Sequence, residues 1–241
     1  SFGVKAYILD NLWAAAGYNA KPDTDWNNVR IDCSDSGVCT YAPIQSWLDN
    51  KYYTFFGYYP YNTPGVTVSD ANHESTPYIE YRLSANDPTQ HQDVMVASTF
   101  DCTALNTGQV RMQFSHILFC INIAVNNYRD EAIRLDNVIC RFTSPLYSTY
   151  RMKMDKSELD TGGTITNASY LMASSVNVSN TSATGAINIT DADRFLMLIP
   201  QRGLQGTISF DVTQGGQTTM KVVEFNDPDT EYRAGYRYTF T

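Results

Sequence analysis

Long apolar runs are missing from this chain: no stretch approaches the ~18 residues that cross a bilayer as a helix, which excludes a helical membrane span. Clusters of basic residues are missing too. With 17 Lys and Arg against 25 Asp and Glu, a formal charge of −8, there is no basic stripe to track phosphates, so nucleic acid is excluded as a partner. The standard catalytic and metal signatures are absent. There is no HExxH, no CxxC and no Gly-x-Ser-x-Gly, and the three histidines, His73, His91 and His116, fall in none of these motifs. Of these histidines only His116 sits where a strand pattern changes phase. There a hydrogen-bonded structural role outweighs a catalytic one. Asp227, Asp229 and Glu231 could donate oxygens to calcium, yet they lack the spacing and glycine of a calcium loop and read as a solvated turn. No catalytic, cofactor-binding or metal-ligating residue is named, no cofactor is expected, and the chain is not read as an enzyme.

What is present points to strands. Tyr is the commonest aromatic, with 17 residues, and Thr, Ser and Asn are plentiful while Leu-rich heptads are lacking, a composition that suits pleated surfaces and turns. At 241 residues the chain can form one large all-β domain or two of roughly 100 to 120 residues, either with a full core. Five Cys leave at least one thiol free or paired with another chain. Cys120 falls inside an apolar strand pattern and reads as a small buried residue. Cys33 and Cys39 flank Ser34-Asp35-Ser36-Gly37 in a hairpin pattern. A disulfide, given an oxidising compartment, and two free thiols are both open readings. The sequons at Asn167, Asn177, Asn180 and Asn188 are of a kind that arises by chance in an Asn/Thr/Ser-rich chain.

The pattern is organised around residues 93–125. DVMVAST is followed by a polar turn through Asn106-Thr107-Gly108 and then by QVRMQFSHILFCINIAV. Val110, Met112 and Phe114 alternate, and after Ser115-His116 the phase flips to Ile117, Phe119, Ile121, Ile123 and Val125, as at a β-bulge in a half-buried strand. The expectation is one long bent strand forming the rib of a sandwich, its β-branched and aromatic content arguing against helix. Ahead of it come a first strand with Phe2, Val4, Ala6 and Ile8 alternating, a helical turn at residues 13–18, and a strand–turn–strand pattern at residues 27–41. YYTFFGYYPY at residues 52–61 reads as a segment buried on both faces, with a binding stripe as the alternative. Turn formers at Pro64-Gly65 and Asp70-Ala71-Asn72 precede a strand at residues 78–83. Asn126-Asn127-Tyr128-Arg129-Asp130 is a polar break and the expected boundary between a domain of residues 1–128 and one of residues 129–241. Beyond it come a strand pattern at residues 132–139, an ambiguous amphipathic piece at residues 150–159 and a Gly162-Gly163 turn. An apolar strand stopped by Pro200, a hairpin across Gly215-Gly216, and a last strand with Tyr236, Tyr238 and Phe240 on one face complete the chain.

Several stretches together resemble a family: Phe2-Gly3-Val4-Lys5-Ala6-Tyr7, Tyr53-Thr54-Phe55-Phe56-Gly57-Tyr58-Tyr59-Pro60-Tyr61, Asp93-Val94-Met95-Val96-Ala97, Phe114-Ser115-His116-Ile117-Leu118, Leu198-Ile199-Pro200-Gln201 and Ala234-Gly235-Tyr236-Arg237-Tyr238. In this order they look like the fimbrillin-like proteins, subunits of the type V pili of Gram-negative anaerobes. Residues 143–189 carry no part of the pattern. The resemblance implies two tandem transthyretin-like, Greek-key β-sandwiches in a protein exported as a lipoprotein precursor to the cell surface and its outer-membrane fimbrium. It implies other pilin subunits as partners by strand exchange, with host or bacterial surface ligands as adhesion targets. Family members are trimmed of a first strand, which leaves an apolar groove for a strand of another subunit. Ser1 opens directly into a strand pattern, so this chain resembles the trimmed form. Its own candidate donor is residues 235–241, although so short a segment directly after the Asp227 to Glu231 turn reads better as an ordinary strand of the second domain. The alternative function is a secreted or surface glycan- or protein-binding β-sandwich module, suggested by the tyrosines of residues 52–61 and 147–150.

Overall fold

The computed structural model of the chain describes residues 1–15, 23–69, 76–84, 87–105, 109–192, 194 and 196–241. His73, Phe195, the turns expected at Asp70-Ala71-Asn72 and Asn106-Thr107-Gly108, and residues 16–18 of the expected helical turn lie outside them. The described strands are β1 Phe2–Leu9, β2 Asn27–Cys33, β3 Cys39–Thr40, β4 Tyr52–Tyr59, β5 Val66–Val68, β6 Tyr78–Arg82, β7 Met95–Cys102, β8 Ser115–His116 and β9 Phe119–Val125. They continue as β10 Ile133–Phe142, β11 Leu146–Lys153, β12 Leu159–Ile165, β13 Ser169–Val178, β14 Ile187–Asn188, β15 Leu196–Leu198, β16 Gln201–Gln214, β17 Gln217–Tyr232 and β18 Arg237–Phe240. Short 3₁₀ turns at Trp13–Ala15, Thr24–Trp26 and Pro88–Gln90 are the described helical pieces, so the fold is all β as the composition implies.

The chain forms two compact units, each assembled from separated stretches. The first comprises Ser1–Tyr81, Asp93–Ile117 and Tyr150–Asp160; the second comprises Arg82–Gln92, Leu118–Thr149 and Thr161–Thr241. The division expected between residues 1–128 and 129–241 is therefore not where the structure divides. Strand pairing is one reason: β9 is bonded to β14, β15 and β18, with Val125 opposite Ile187 and Ile121 opposite both Leu196 and Tyr238. The other reason is that the polar break is not a linker. Asn127 is buried, its Nδ2 donating to the Glu131 and Val178 carbonyls at 3.0 Å each, and its main-chain N–H donating to Thr181 Oγ1 at 2.8 Å. A buried amide whose bonds are met inside the protein anchors a turn, whereas a linker leaves them to water.

In the first unit the sheet order is β3-β2-β1-β4-β7-β8. β1 and β4 lie at its centre, antiparallel from Gly3 opposite Tyr58 to Leu9 opposite Tyr52. Central position overrides the expected alternation of β1, because every residue from Gly3 to Tyr7 is buried. Tyr53 to Tyr58 are buried as well, which is the core reading of the aromatic run. Gly3 is required there, since the Tyr58 ring fills the space a Cβ would take.

The second unit contains the sheet β13-β10-β16-β17 and a sheet in which β9 is flanked by β14, β15 and the parallel β18. The single long strand expected across residues 110–125 does not form. β8 pairs with β7, Met95 opposite His116, in the first unit, while β9 belongs to the second, and the chain passes between units at Ile117 and Leu118. The phase flip marks that change of unit, not a bulge. Before it Val110, Met112 and Phe114 are half-buried with Arg111 and Gln113 exposed; after it every residue from Ile117 to Ala124 is buried.

Other expectations change for local reasons. Gly162 and Gly163 lie inside β12, where Gly163 adopts the left-handed region at φ 57° without ending the strand. Asp227, Asp229 and Glu231 lie inside β17 and not in a turn. There Leu204 opposite Asp227 and Arg202 opposite Glu231 bracket an irregularity at Gly203, so Pro228 occupies a break in the ladder. Residues 150–159 resolve into the end of β11, a turn and the start of β12. The hairpin across Gly215-Gly216 forms as expected, with φ of 55° and 79°, the left-handed pair that a two-residue hairpin loop needs.

Candidate functional site

The face of β1, β2 and β4 in the first unit carries a buried cluster of Val4, Ala6, Trp26, Ile31, Tyr53, Phe55 and Cys102. Phe2, Ile8, Val29, Tyr41, Trp47, Val110 and Met112 pack against it half-buried. Between them lies an open groove of about 790 Å³, lined from β1 and β4 by Phe2, Val4, Tyr53, Phe55 and Tyr59. Trp26, the β2–β3 hairpin, the loop carrying Tyr41 and Trp47, Met95 of β7, and Gln109, Val110, Met112 and Phe114 complete the lining. No Asp, Glu, Lys, Arg or His is among the lining residues.

The aromatic rings of this lining hold one another in place. Trp47 meets Tyr53 at 4.5 Å between centroids, Trp26 meets Tyr41 at 5.1 Å and Phe55 at 5.6 Å, all edge-on or tilted. The Leu48 N–H donates to the Tyr53 hydroxyl at 2.7 Å, which ties the Trp47 loop to β4. Beside the groove the β2–β3 hairpin is closed by the Cys33–Cys39 disulfide, the realised one of the two open readings, and by Gly37 at φ 81° in its turn. Residues 109–114 are seated on Gly57 of β4: a Cβ there would come within 2.7 Å of Met112 Cε and 3.2 Å of Phe114 Cζ. The Phe114 ring meets Phe2 edge-on at 5.0 Å.

The residues weighed as chemical candidates do not converge. His116 is exposed on β8, its Nδ1 2.8 Å from Asp93 Oδ1. His91 is buried in the second unit. Asp227 accepts from the Tyr232 hydroxyl at 2.9 Å and is held below the usual carboxylate range, chiefly by hydrogen bonding to Thr230. Asp229 pairs with Arg202 and Glu231 with Arg233, so the three acids face different partners. Among the described residues no group of three metal-ligating side chains is found. Cys102, Cys120 and Cys140 are buried thiols outside the disulfide, and burial pushes the Cys140 thiol up to about 12.

The end of the chain is a strand of the second unit. Cys120 N–H donates to the Tyr236 carbonyl at 2.9 Å, and Tyr238 packs on Phe119 and Tyr232 at 5.7 and 4.6 Å. Phe240 stacks on Phe225 at 4.9 Å. The groove residues themselves were not legible one by one. The visible signal was a tryptophan, Trp47, in a loop, because so large an apolar ring is seldom left in water.

Comparison with known proteins follows from this geometry. The pattern of a family described as fimbrillin-like matches residues 8–241. A comparison with curated proteins finds no match. Among solved structures, a fimbrial protein from Bacteroides vulgatus is similar with a TM-score of 0.77 at 20% identity, over 99% of this chain and 86% of that one. A candidate cell adhesion protein from Bacteroides ovatus is similar at 0.53 and 16% identity, over 99% and 80% of the two chains. One from Bacteroides uniformis is similar at 0.51 and 14%, over 98% and 84%. At such identities these likenesses concern the fold.

Proposed function

The chain belongs to the fimbrillin-like family, and from that premise we propose that it is a structural subunit of a cell-surface fimbria which receives an extended strand of another subunit in the groove of its first unit. The observation that carries this reading is the groove itself: about 790 Å³, aromatic and free of charged lining residues. An open apolar cleft of this kind is a liability for a lone soluble domain and an asset for one that a partner completes. A strand suits it, because side chains on alternate positions fill the cleft while the main chain stays available for hydrogen bonds. Contribution to adhesion, association of the fimbrium with the outer membrane, a lipidated precursor trimmed by a protease, and transthyretin-like sandwiches are the finer parts of this reading, and family membership supports them.

Phe2→Asp and Trp47→Asp test it, since both side chains are half-buried groove residues whose loss spares the buried cluster. Each variant is expected to melt within a few degrees of the parent yet fail to form oligomers, measured by light scattering after protease treatment of the precursor. Oligomers formed as readily as by the parent would remove the groove from assembly. A glycan-binding module is the second reading, favoured by Trp26, Tyr41 and Trp47 along the groove, since such rings can stack on sugars. Glycan-array binding by the monomer that is lost on Trp47→Ala would select it.

A further inference from the structure

Residues 109–114 bring more than side chains to the groove. Among the described residues their main chain makes no hydrogen bond to other main chain, and the polar contact it does make is Thr99 Oγ1 donating to the Arg111 carbonyl at 2.7 Å. Val110, Met112 and Phe114 line the groove while Arg111 and Gln113 are exposed, the two-residue alternation of a strand. Packing of Met112 and Phe114 over Gly57 holds this segment in place, yet it belongs to no sheet. A row of N–H and C=O groups without main-chain partners is a template for another polypeptide. A sugar or an acyl chain offers no matching row of alternating donors and acceptors; an extended chain does.

We propose that residues 109–114 are the strand on which an incoming subunit strand builds its hydrogen-bond ladder, and that Arg111 selects an acidic residue opposite it. The inference rests on the strand-acceptor reading of the groove. Arg111 is the charged residue of the segment, is exposed, has no ion pair among the described residues, and borders a lining without charge. Opposite charges facing each other across two strands attract and like charges repel, so this cation discriminates between donors that fill the groove equally well. Six residues of ladder span roughly 20 Å. The occupant is thus an extended segment of about that length, apolar at alternate positions, polar between them and acidic near its middle.

The test uses the full chain and two alternating Val/Thr heptapeptides, one with Glu and one with Lys at its central outward position. Hydrogen exchange read by mass spectrometry or NMR is expected to show amides of residues 109–114 slowed by the bound peptide. The Glu peptide is expected to bind about 1.5- to 5-fold more tightly than the Lys peptide, with the order reversed in Arg111→Glu. Binding that leaves residues 109–114 unprotected, or a Glu-to-Lys preference unchanged in Arg111→Glu, overturns the inference and leaves the groove reading intact. Failure of both peptides to bind overturns it as well, and the groove reading then stands or falls on assembly of the Trp47→Asp chain.

Discussion

At the scale of single residues, His91 is the group whose charge state the fold commits. The Met197 N–H donates to its Nδ1 at 3.2 Å, so Nδ1 carries the lone pair and Nε2–H donates to the Ser84 carbonyl at 3.0 Å. The ring lies edge-on to Tyr170 at 5.4 Å and is 5% exposed. Burial lowers its pKa from the ordinary value, against the opposing pull of the Ser84 bond and of Asp87. Protonation would set an N–H against the Met197 N–H. Because the folded pKa lies below the unfolded value of about 6.5, the unfolded chain takes up the proton first. Stability is therefore retained above about pH 6.5 and falls as pH drops from there to the folded pKa, by at most about 1.4 kcal/mol per pH unit. Urea titrations at pH 7.5 and 5.5 should show this loss. His91→Leu should be less stable at pH 7.5, with two hydrogen bonds gone, but should lose less on going to pH 5.5; an unchanged acid slope would place the titration elsewhere.

At the scale of elements, β9 and β18 show what holds the second unit together. β9 is buried from Phe119 to Ala124, and β18 supplies its parallel neighbour, from Arg237 opposite Cys120 to Phe240 opposite Ile123. The aromatic side chains of β18 cover Phe119, Phe225 and Tyr232. The Tyr238 hydroxyl accepts from the Arg233 N–H at 2.9 Å and donates to the Glu231 carbonyl at 3.1 Å, which fastens β18 to the end of β17. Deleting residues 236–241 is expected to cost about 3 kcal/mol or more, since it uncovers several large rings at once. Thermal melting with near-ultraviolet circular dichroism would register it. A truncated chain that melts like the parent but no longer assembles would instead make this end a donor strand. One that both melts and assembles like the parent would give it neither role.

At the scale of the whole molecule, the units interleave along the sequence. The second requires Arg82–Gln92 and Leu118–Thr149 as well as the later residues. A fragment of residues 129–241 would lack β9, the strand to which β14, β15 and β18 are bonded, and also His91. Expressed alone it is expected to show no cooperative melting and a collapsed amide NMR spectrum. A well-dispersed spectrum would restore the boundary near residue 128. The same interleaving makes most stabilising pairings non-local, so the parent should fold slowly for its size.

Composition and two-residue alternation were enough to determine the all-β class, the central aromatic strand β4, the hairpin across Gly215-Gly216 and the buried Cys120, because each follows from neighbours a few residues apart. The run of family-like segments from Phe2 to Tyr238 was legible for the same reason, and the family pattern covers residues 8–241. Alternation states which face of a strand is buried but not which strand covers it. Hence the flip after Phe114 could be read as a bulge in one strand, when it is the passage from one unit to the other at Ile117 and Leu118. The polarity of Asn127 looked like a linker because two of the partners that bury it, Val178 and Thr181, lie about fifty residues on. The groove likewise joins Trp26, Tyr41, Trp47 and residues 109–114, which no local pattern brings together. Which strands pair, where the units divide and which apolar side chains remain uncovered are set by contacts between distant segments, and only the tertiary structure decides them.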